Sequence, residues 1–329
     1  FRRVLFRSRP VVYVLPGITG SHLSAGKDRI WINPLRLAWG GLAKLGIDES
    51  EITAPELVGL YYGELCRHLD STHEVRPWPY DWRLPILGLG TQFAQALRKA
   101  FEETDRPIRI VAHSMGGLVA RSAFLDAEVW RRFRERKGCR LVQLGTPNGG
   151  SYSIPMMLMG RNSLMGVLAA VDLKMDRSGQ LAILWRWPGA LQMMPHAGDL
   201  NFCDQGTWAQ LASADPGDLV FPDPVADDLN AIRNFHTEYL KAPIDGERMF
   251  YVAGQAPTVD GVTVDPKRPP GERILFTRTH DGDGQVLWQT GIPNGVRAWY
   301  TTAVHGDLAR HQPAFEAISD LLEKGTTTR

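Results

Sequence analysis

Ser114, His305 and one of two aspartates, Asp281 or Asp283, are the residues whose types and order could carry chemistry in this chain. A serine hydroxyl is a weak nucleophile until a neighbouring base takes its proton, and an imidazole is the usual base. A buried carboxylate fixes the imidazole's tautomer and stabilises the imidazolium that forms. Such a set performs acyl transfer through a covalent serine ester. Asp283 is the expected carboxylate, because Asp283-Gly-Gln-Val286 has the form of the turn that follows an acid-bearing strand. Asp281 is the second choice. The competing reading of Asp281-Gly-Asp-Gly284 is a plain tight turn or a weak calcium loop, but a calcium loop needs more oxygen ligands at wider spacing.

Stepping outward, Pro107-Ile-Arg-Ile-Val-Ala-His-Ser-Met-Gly-Gly-Leu-Val-Ala-Arg-Ser122 supplies the frame for the serine. Ile108 to Ala112 is a short apolar, β-branched run that predicts a buried strand. Met115 to Phe124 has helical apolar spacing. Between them the chain must turn on Ser114, which crowds the positions two before and two after it. Those positions hold the small residues Ala112 and Gly116, with Ala in place of the more usual first Gly. An ordinary strand, turn and helix with an exposed serine is the bland alternative. It loses ground because the partners follow in the order Ser…Asp…His, the chain order of α/β-hydrolases. Val11 to Leu15 predicts another buried strand, followed by Pro16-Gly-Ile-Thr-Gly-Ser21. A loop in that place can present a backbone N–H to a developing oxyanion, and Ile18 is the donor by position. A second donor comes from the helix N-terminus at Met115.

The expected fold class is therefore α/β: a mostly parallel sheet flanked by helices, the α/β-hydrolase fold with an inserted cap. Residues 9–151 form the first part of the core, 152–247 the cap and 248–329 the second part. Helices are expected at Val58–Leu69, Thr91–Thr104 and Pro313–Lys324. Strands are expected at Val75–Tyr80, Gly138–Leu144, Arg248–Ala253 and Val296–Val304, with loops between Ala253 and His280. Residues 27–60 carry apolar residues without a clean period and fit a lid-like segment. Trp31 within it, and Met156, Met193 and Met194 in the methionine-rich 152–247 stretch, are the expected substrate-contacting residues. Methionine suits irregular apolar ligands because its side chain is flexible and polarisable, although methionines pack ordinary cores more often.

Composition limits the rest. The chain has 329 residues, of which 43% are hydrophobic and 22% charged, enough to build a full core. A formal net charge of +1 gives no reason to expect nucleic acid as a partner. Three cysteines without tight spacing give no metal site and no disulfide framework. No metal or cofactor is expected. There is no apolar run of about 18 residues and no signal-peptide pattern, which favours the cytoplasm as the expected compartment. Residues 1–8, Phe-Arg-Arg-Val-Leu-Phe-Arg-Ser, read as a non-native leader, so the native start stays open. Oligomeric state is not written in the sequence.

Five blocks carry a family resemblance: Pro16-Gly-Ile-Thr-Gly-Ser21, Pro79-Tyr-Asp-Trp-Arg83, Ala112-His-Ser-Met-Gly-Gly117, Leu144-Gly-Thr-Pro147 and Asp281-Gly-Asp-Gly284. With Trp187-Pro-Gly-Ala-Leu-Gln-Met-Met-Pro195, they resemble the lecithin:cholesterol acyltransferase family. That family includes lysosomal phospholipase A2 and phospholipid:diacylglycerol acyltransferases. The Tyr-Asp-Trp-Arg block discriminates best, since general lipases share the others. The resemblance implies an O-acyltransferase or lipase with Ser114, Asp283 and His305 as its triad and Ile18 and Met115 as its oxyanion donors. It implies lipid esters as substrates, met at a membrane or lipid-droplet surface. Gln285 stands where the family usually has Thr, and paired cysteines near Trp31 are lacking. A simple lipase or carboxylesterase, and a non-catalytic binding protein of the same shape, are the rival readings.

Overall fold

Two faces of one sheet account for most of the apolar sequence. The computed structural model describes residues 9–48, 51–161, 174–214 and 225–329. The expected leader at residues 1–8 lies outside them. The described strands are β1 (Val11–Leu15), β2 (Leu23–Ala25), β3 (Asp28–Trp31), β4 (Ile52–Thr53), β5 (Glu74–Pro77) and β6 (Ile108–His113). They continue with β7 (Arg140–Leu144), β8 (Met249–Ala253), β9 (Thr258–Val264), β10 (Ile274–Thr279) and β11 (Arg297–Tyr300). The main sheet has the order β11-β8-β7-β6-β1-β5, and every neighbouring pair in it is parallel.

Side chains alternate across a strand, so a parallel sheet covered on both faces needs continuous apolar runs. In β1, Val11, Tyr13 and Leu15 enter one core while Val12 and Val14 enter the other. The first core is closed by helices Ile86–Glu103 and Met115–Ala123; the second is closed by helices Gly59–Leu69 and Phe315–Lys324. In Ile86–Glu103, Leu89, Phe93, Leu97, Ala100 and Phe101 recur at helical spacing and are all buried.

Several boundaries differ from expectation for local reasons. The strand expected over Val75–Tyr80 stops at Pro77, at the first of its two prolines, neither of which can donate to a ladder. The helix expected from Thr91 starts at Ile86, directly after Pro85, which takes the N-cap place. The stretch expected as loops after Ala253 contains an antiparallel hairpin, β9 with β10. In β9 the buried positions are Thr258, Val259 and Val262, which do not alternate strictly, so the segment carries no clean period-2 signal.

Residues 27–60 hold β3, β4, a short helix Pro34–Ala38 and a 3-10 turn Gly41–Leu45. The Tyr80–Arg83 block joins this segment to the stretch after β7. The Arg83 guanidinium lies 2.7 Å from the Asp81 carboxylate and donates to Gly46 O, while Arg83 O accepts from Gly189 N–H. Trp82 is fully buried with its ring edge-on to both Trp31 and Trp187. Buried Arg121 makes a second tie: it donates to Asn148 Oδ1, to Tyr239 OH and to Ala242 O.

In the 174–247 stretch the His196 and His236 rings lie against each other, tilted by 37° with centroids 3.7 Å apart. Burial pushes His196 down to about 3, with His236 and Arg121 adding to it, and burial pushes His236 down to about 4. An unfolded histidine titrates near 6.5. Below that pH the unfolded chain binds protons that the folded pair refuses, so stability falls as pH drops from about 6.5 towards about 4. Thermal unfolding should therefore show a melting temperature lower by several degrees at pH 5 than at pH 7. The drop should shrink in the double variant His196→Phe, His236→Phe. An unchanged drop would remove the pair from the acid response.

Candidate active site

Ser114 sits at the sharpest bend of the chain. β6 ends at His113, the helix begins at Met115, and between them Ser114 has φ 53° and ψ −125°. A non-glycine residue there costs of order 1–3 kcal/mol and persists only where the surroundings enforce it. The Ser114 N–H donates to Leu144 O of the neighbouring strand at 2.8 Å. A Cβ at position 116 would lie 2.5 Å from Pro16 O, so glycine there lets the elbow helix press against the loop after β1.

His305 follows β11, and Asp283 lies in the turn after β10. Their side chains meet Ser114 in one line. Ser114 Oγ is 2.9 Å from His305 Nε2, and His305 Nδ1 is 2.8 Å from Asp283 Oδ2. The other Asp283 oxygen, Oδ1, accepts from the N–H groups of Gln285 and Val286. Gln285 thus serves through its backbone, and the side-chain difference from the family's Thr leaves the carboxylate's bonds in place. Asp283 is 2% exposed, and a carboxylate so held presents only acceptors. His305 Nδ1 must then carry the proton, which leaves the Nε2 lone pair for the Ser114 hydroxyl. Asp281, two residues away, is exposed. Of the two candidate aspartates, Asp283 is the one against His305. Gly145, with φ 58°, makes the space for this pair: a Cβ there would come 2.7 Å from Asp283 Oδ2 and 3.1 Å from His305 Nδ1.

The expected oxyanion donors flank the serine. Ile18 and Ser114 line one cavity, and Met115 opens the elbow helix. Among the described residues neither the Ile18 N–H nor the Met115 N–H has a protein acceptor. A helix's first N–H groups have no partner within the helix. The cavity, about 340 Å³, runs from Ser114 between Ile18, Trp31, Ile32, Ile154 and Met157. A second cavity of about 320 Å³ also borders His305 and is lined by Met156, Arg161, Arg278 and Asp283 among others.

The substrate-contact expectations divide. Trp31 lines the apolar cavity and Met156 the second one. Met193 and Met194 line neither; both are buried in the core that Trp82 and Trp187 share. They follow the short helix Pro188–Leu191, which is held by its own turn bonds and by Gly189 N–H to Arg83 O, so they pack inward. Met165 lies outside the described residues. Ile32, Ile154 and Met157 at the cavity wall were not singled out from sequence, and neither were Tyr62 and His113 beneath it. Cys66, Cys139 and Cys203 are free thiols. Among the described residues no cluster of three or more His, Cys, Asp or Glu side chains could hold a metal ion.

Family comparison bears on the fold and on the elbow. The model of the lecithin:cholesterol acyltransferase family matches residues 57–238, more than half of the chain and including the elbow. The chain belongs to the lecithin:cholesterol acyltransferase family. The match stops short of Asp283 and His305, so for these two members of the line the family match adds nothing to the geometry. No curated protein sequence matches the chain. Among solved structures, the Tle4–Tli4 complex is similar with a TM-score of 0.51 at 14% identity, over 96% of this chain and 98% of that one. The mature Bacillus licheniformis lipase BlEst2 aligns with a TM-score of 0.47 at 13% identity, over 96% and 93%. At such identities the likeness concerns the fold. The parallel sheet with its strand–serine–helix elbow is an α/β-hydrolase fold. As in the resemblance read from sequence, this family member carries the Tyr80-Asp-Trp-Arg83 block, here a structural joint. No helix among the described residues is long and apolar enough to cross a membrane.

Proposed function

We propose that this chain is a serine-dependent acyl hydrolase or O-acyltransferase of lipid esters. The carrying observation is the unbroken hydrogen-bonded line Ser114–His305–Asp283 beside an apolar cavity. In this reading His305 Nε2 takes the Ser114 proton as Oγ attacks the ester carbonyl. The Ile18 and Met115 N–H groups stabilise the tetrahedral oxyanion. His305 then gives the proton to the leaving alcohol, and an acyl-enzyme on Ser114 remains. Water or a lipid hydroxyl, deprotonated by the same imidazole, takes the acyl group. Phospholipid is the proposed acyl donor, on the strength of family membership. Residues 152–247 act as a cap, with Ile154 and Met157 as its contribution to the acyl wall.

Incubating the protein with a labelled phospholipid, with and without a long-chain alcohol, tests the reading. A new ester identifies a transferase, fatty acid alone a hydrolase, and no turnover of any ester defeats both. Chain length gives a finer measure. Each buried CH₂ contributes about 0.8 kcal/mol of transfer free energy. We expect kcat/KM on p-nitrophenyl esters to rise from acetyl to medium chains. The rise should flatten in Met157→Ser while acetyl ester turnover is kept. A parent preference for acetyl esters would leave a small-ester hydrolase instead.

A further inference from the structure

A second hydrogen-bonded chain lies under the serine, and its proton positions can be assigned from its ends. The Gly17 N–H donates to Tyr62 OH at 2.8 Å, so the phenol oxygen is an acceptor there. Its own hydrogen is then directed to His113 Nδ1, 2.9 Å away. Nδ1 therefore carries no proton, and the proton sits on Nε2, which lies 3.0 Å from the His305 carbonyl and donates to it. Every link has one donor and one acceptor, and each runs in the same sense. Tyr62 and His113 are both buried, at 3% and 7% exposure, so water offers little replacement for a lost link. Burial, with His305 close by, pushes His113 down to about 3, in keeping with a ring held neutral.

The two ends of this chain lie in two separate loops of the site. Gly17 precedes Ile18, the proposed oxyanion donor, and the His305 carbonyl belongs to the proposed base. His113 immediately precedes Ser114. Neither residue has a part in the proton transfers described above.

We infer that Tyr62 and His113 are positioning residues for the reaction: together they hold the oxyanion loop and the base loop in register about the nucleophile. The inference rests on the proposed role of Ser114 and His305. A displacement of about 1 Å at a reacting group can cost on the order of 100-fold in rate, so a clamp of this kind acts on kcat. Tyr62 lines the apolar cavity, and Tyr62→Phe keeps its ring there, so KM is expected to change little.

The test is Tyr62→Phe, measured with p-nitrophenyl butyrate beside the parent and Ser114→Ala. We expect kcat to fall about 10- to 100-fold with KM held within about threefold and the melting temperature close to the parent's. His113→Gln places an amide nitrogen near the imidazole Nε2 position and keeps the link to His305 while losing Tyr62. His113→Asn keeps a polar atom near the Nδ1 position and loses His305. Each should lower kcat, and the double variant Tyr62→Phe, His113→Gln should lose no more than about threefold beyond the worse single variant, as expected of residues that act as one unit. Histidine ¹⁵N spectra of the parent should show His113 as the Nε2–H tautomer. The inference is overturned by a Tyr62→Phe kcat within about twofold of the parent, by losses that multiply in the double variant, by an Nδ1–H tautomer, or by a fall in kcat/KM carried by KM alone. Should Tyr62→Phe fail to fold, the two His113 variants decide by the same kcat criterion. If Ser114→Ala keeps its turnover, the serine reading itself fails. If Ser114→Ala is inactive and Tyr62→Phe is normal, only the clamp fails.

Discussion

Ser114→Ala and His305→Ala are each expected to remove ester turnover by roughly 10⁴- to 10⁶-fold while the protein keeps its fold. The two side chains share one hydrogen bond and one proton. Without the hydroxyl there is no nucleophile, and without the imidazole the hydroxyl keeps its proton at neutral pH. Because they act as a unit, the double variant should be scarcely worse than either single one. Removing the Ser114 hydroxyl leaves the strained backbone as it is, since alanine also carries a Cβ at φ 53°. The melting temperature should therefore change little. The residual rate would come from the Ile18 and Met115 N–H groups and from binding in the cavity. Fluorophosphonate labelling gives an independent readout, with the parent labelled at Ser114 and both variants unlabelled. Near-parental turnover in either variant would dissolve the triad and favour a non-catalytic protein of the same shape.

Asp283→Asn should lower turnover by roughly 10⁴-fold, and Asp281→Asn by less than about threefold. The asymmetry follows from geometry. Asp283 Oδ2 accepts from His305 Nδ1, while Oδ1 is tied down by two backbone N–H groups. An amide in its place can keep only part of this pattern. If its NH₂ faces His305, the imidazole must put its proton on Nε2, towards the serine, where a lone pair is needed. If its oxygen faces His305, the NH₂ is pressed against the Gln285 and Val286 N–H groups. Either way the base is disabled or the turn is strained, so some loss of stability accompanies the rate loss. Asp281 is exposed, and its substitution leaves the His305 contacts untouched. Comparing kcat/KM for the two variants on one ester measures this directly. The reverse ranking would move the acid to Asp281; equal small effects would break the Asp–His pairing.

What the sequence determined by itself is what local sterics and periodicity force. Ala112 and Gly116 had to be small because the turn at Ser114 crowds them, and the elbow was legible once these were read together with the aspartate and histidine that follow in order. Val11–Leu15 had to be apolar throughout, and Ile108–His113 apolar but for Arg109 and His113, because both faces of a parallel strand are covered, so these two strands were legible too. The order of serine, aspartate and histidine was legible because it is a property of the chain. Tertiary structure decided what depends on contacts between distant residues. Asp281 and Asp283 lie in the same short turn with the same chemistry, and only the placement of His305, 22 residues beyond Asp283, separates them. Met193 and Met194 have the composition of a lipid-facing patch, yet the packing of Trp82 against Trp187 turns them into the core. Met157, from the same stretch, faces the cavity instead. Tyr62 is one of the buried positions of the Gly59–Leu69 helix. Its hydroxyl acquires a task only because the fold brings Gly17 and His113, 45 and 51 residues away along the chain, to opposite sides of it. Periodicity reports which face of an element is buried; it carries no information about which buried polar atoms will find one another, because that is set by how the elements pack.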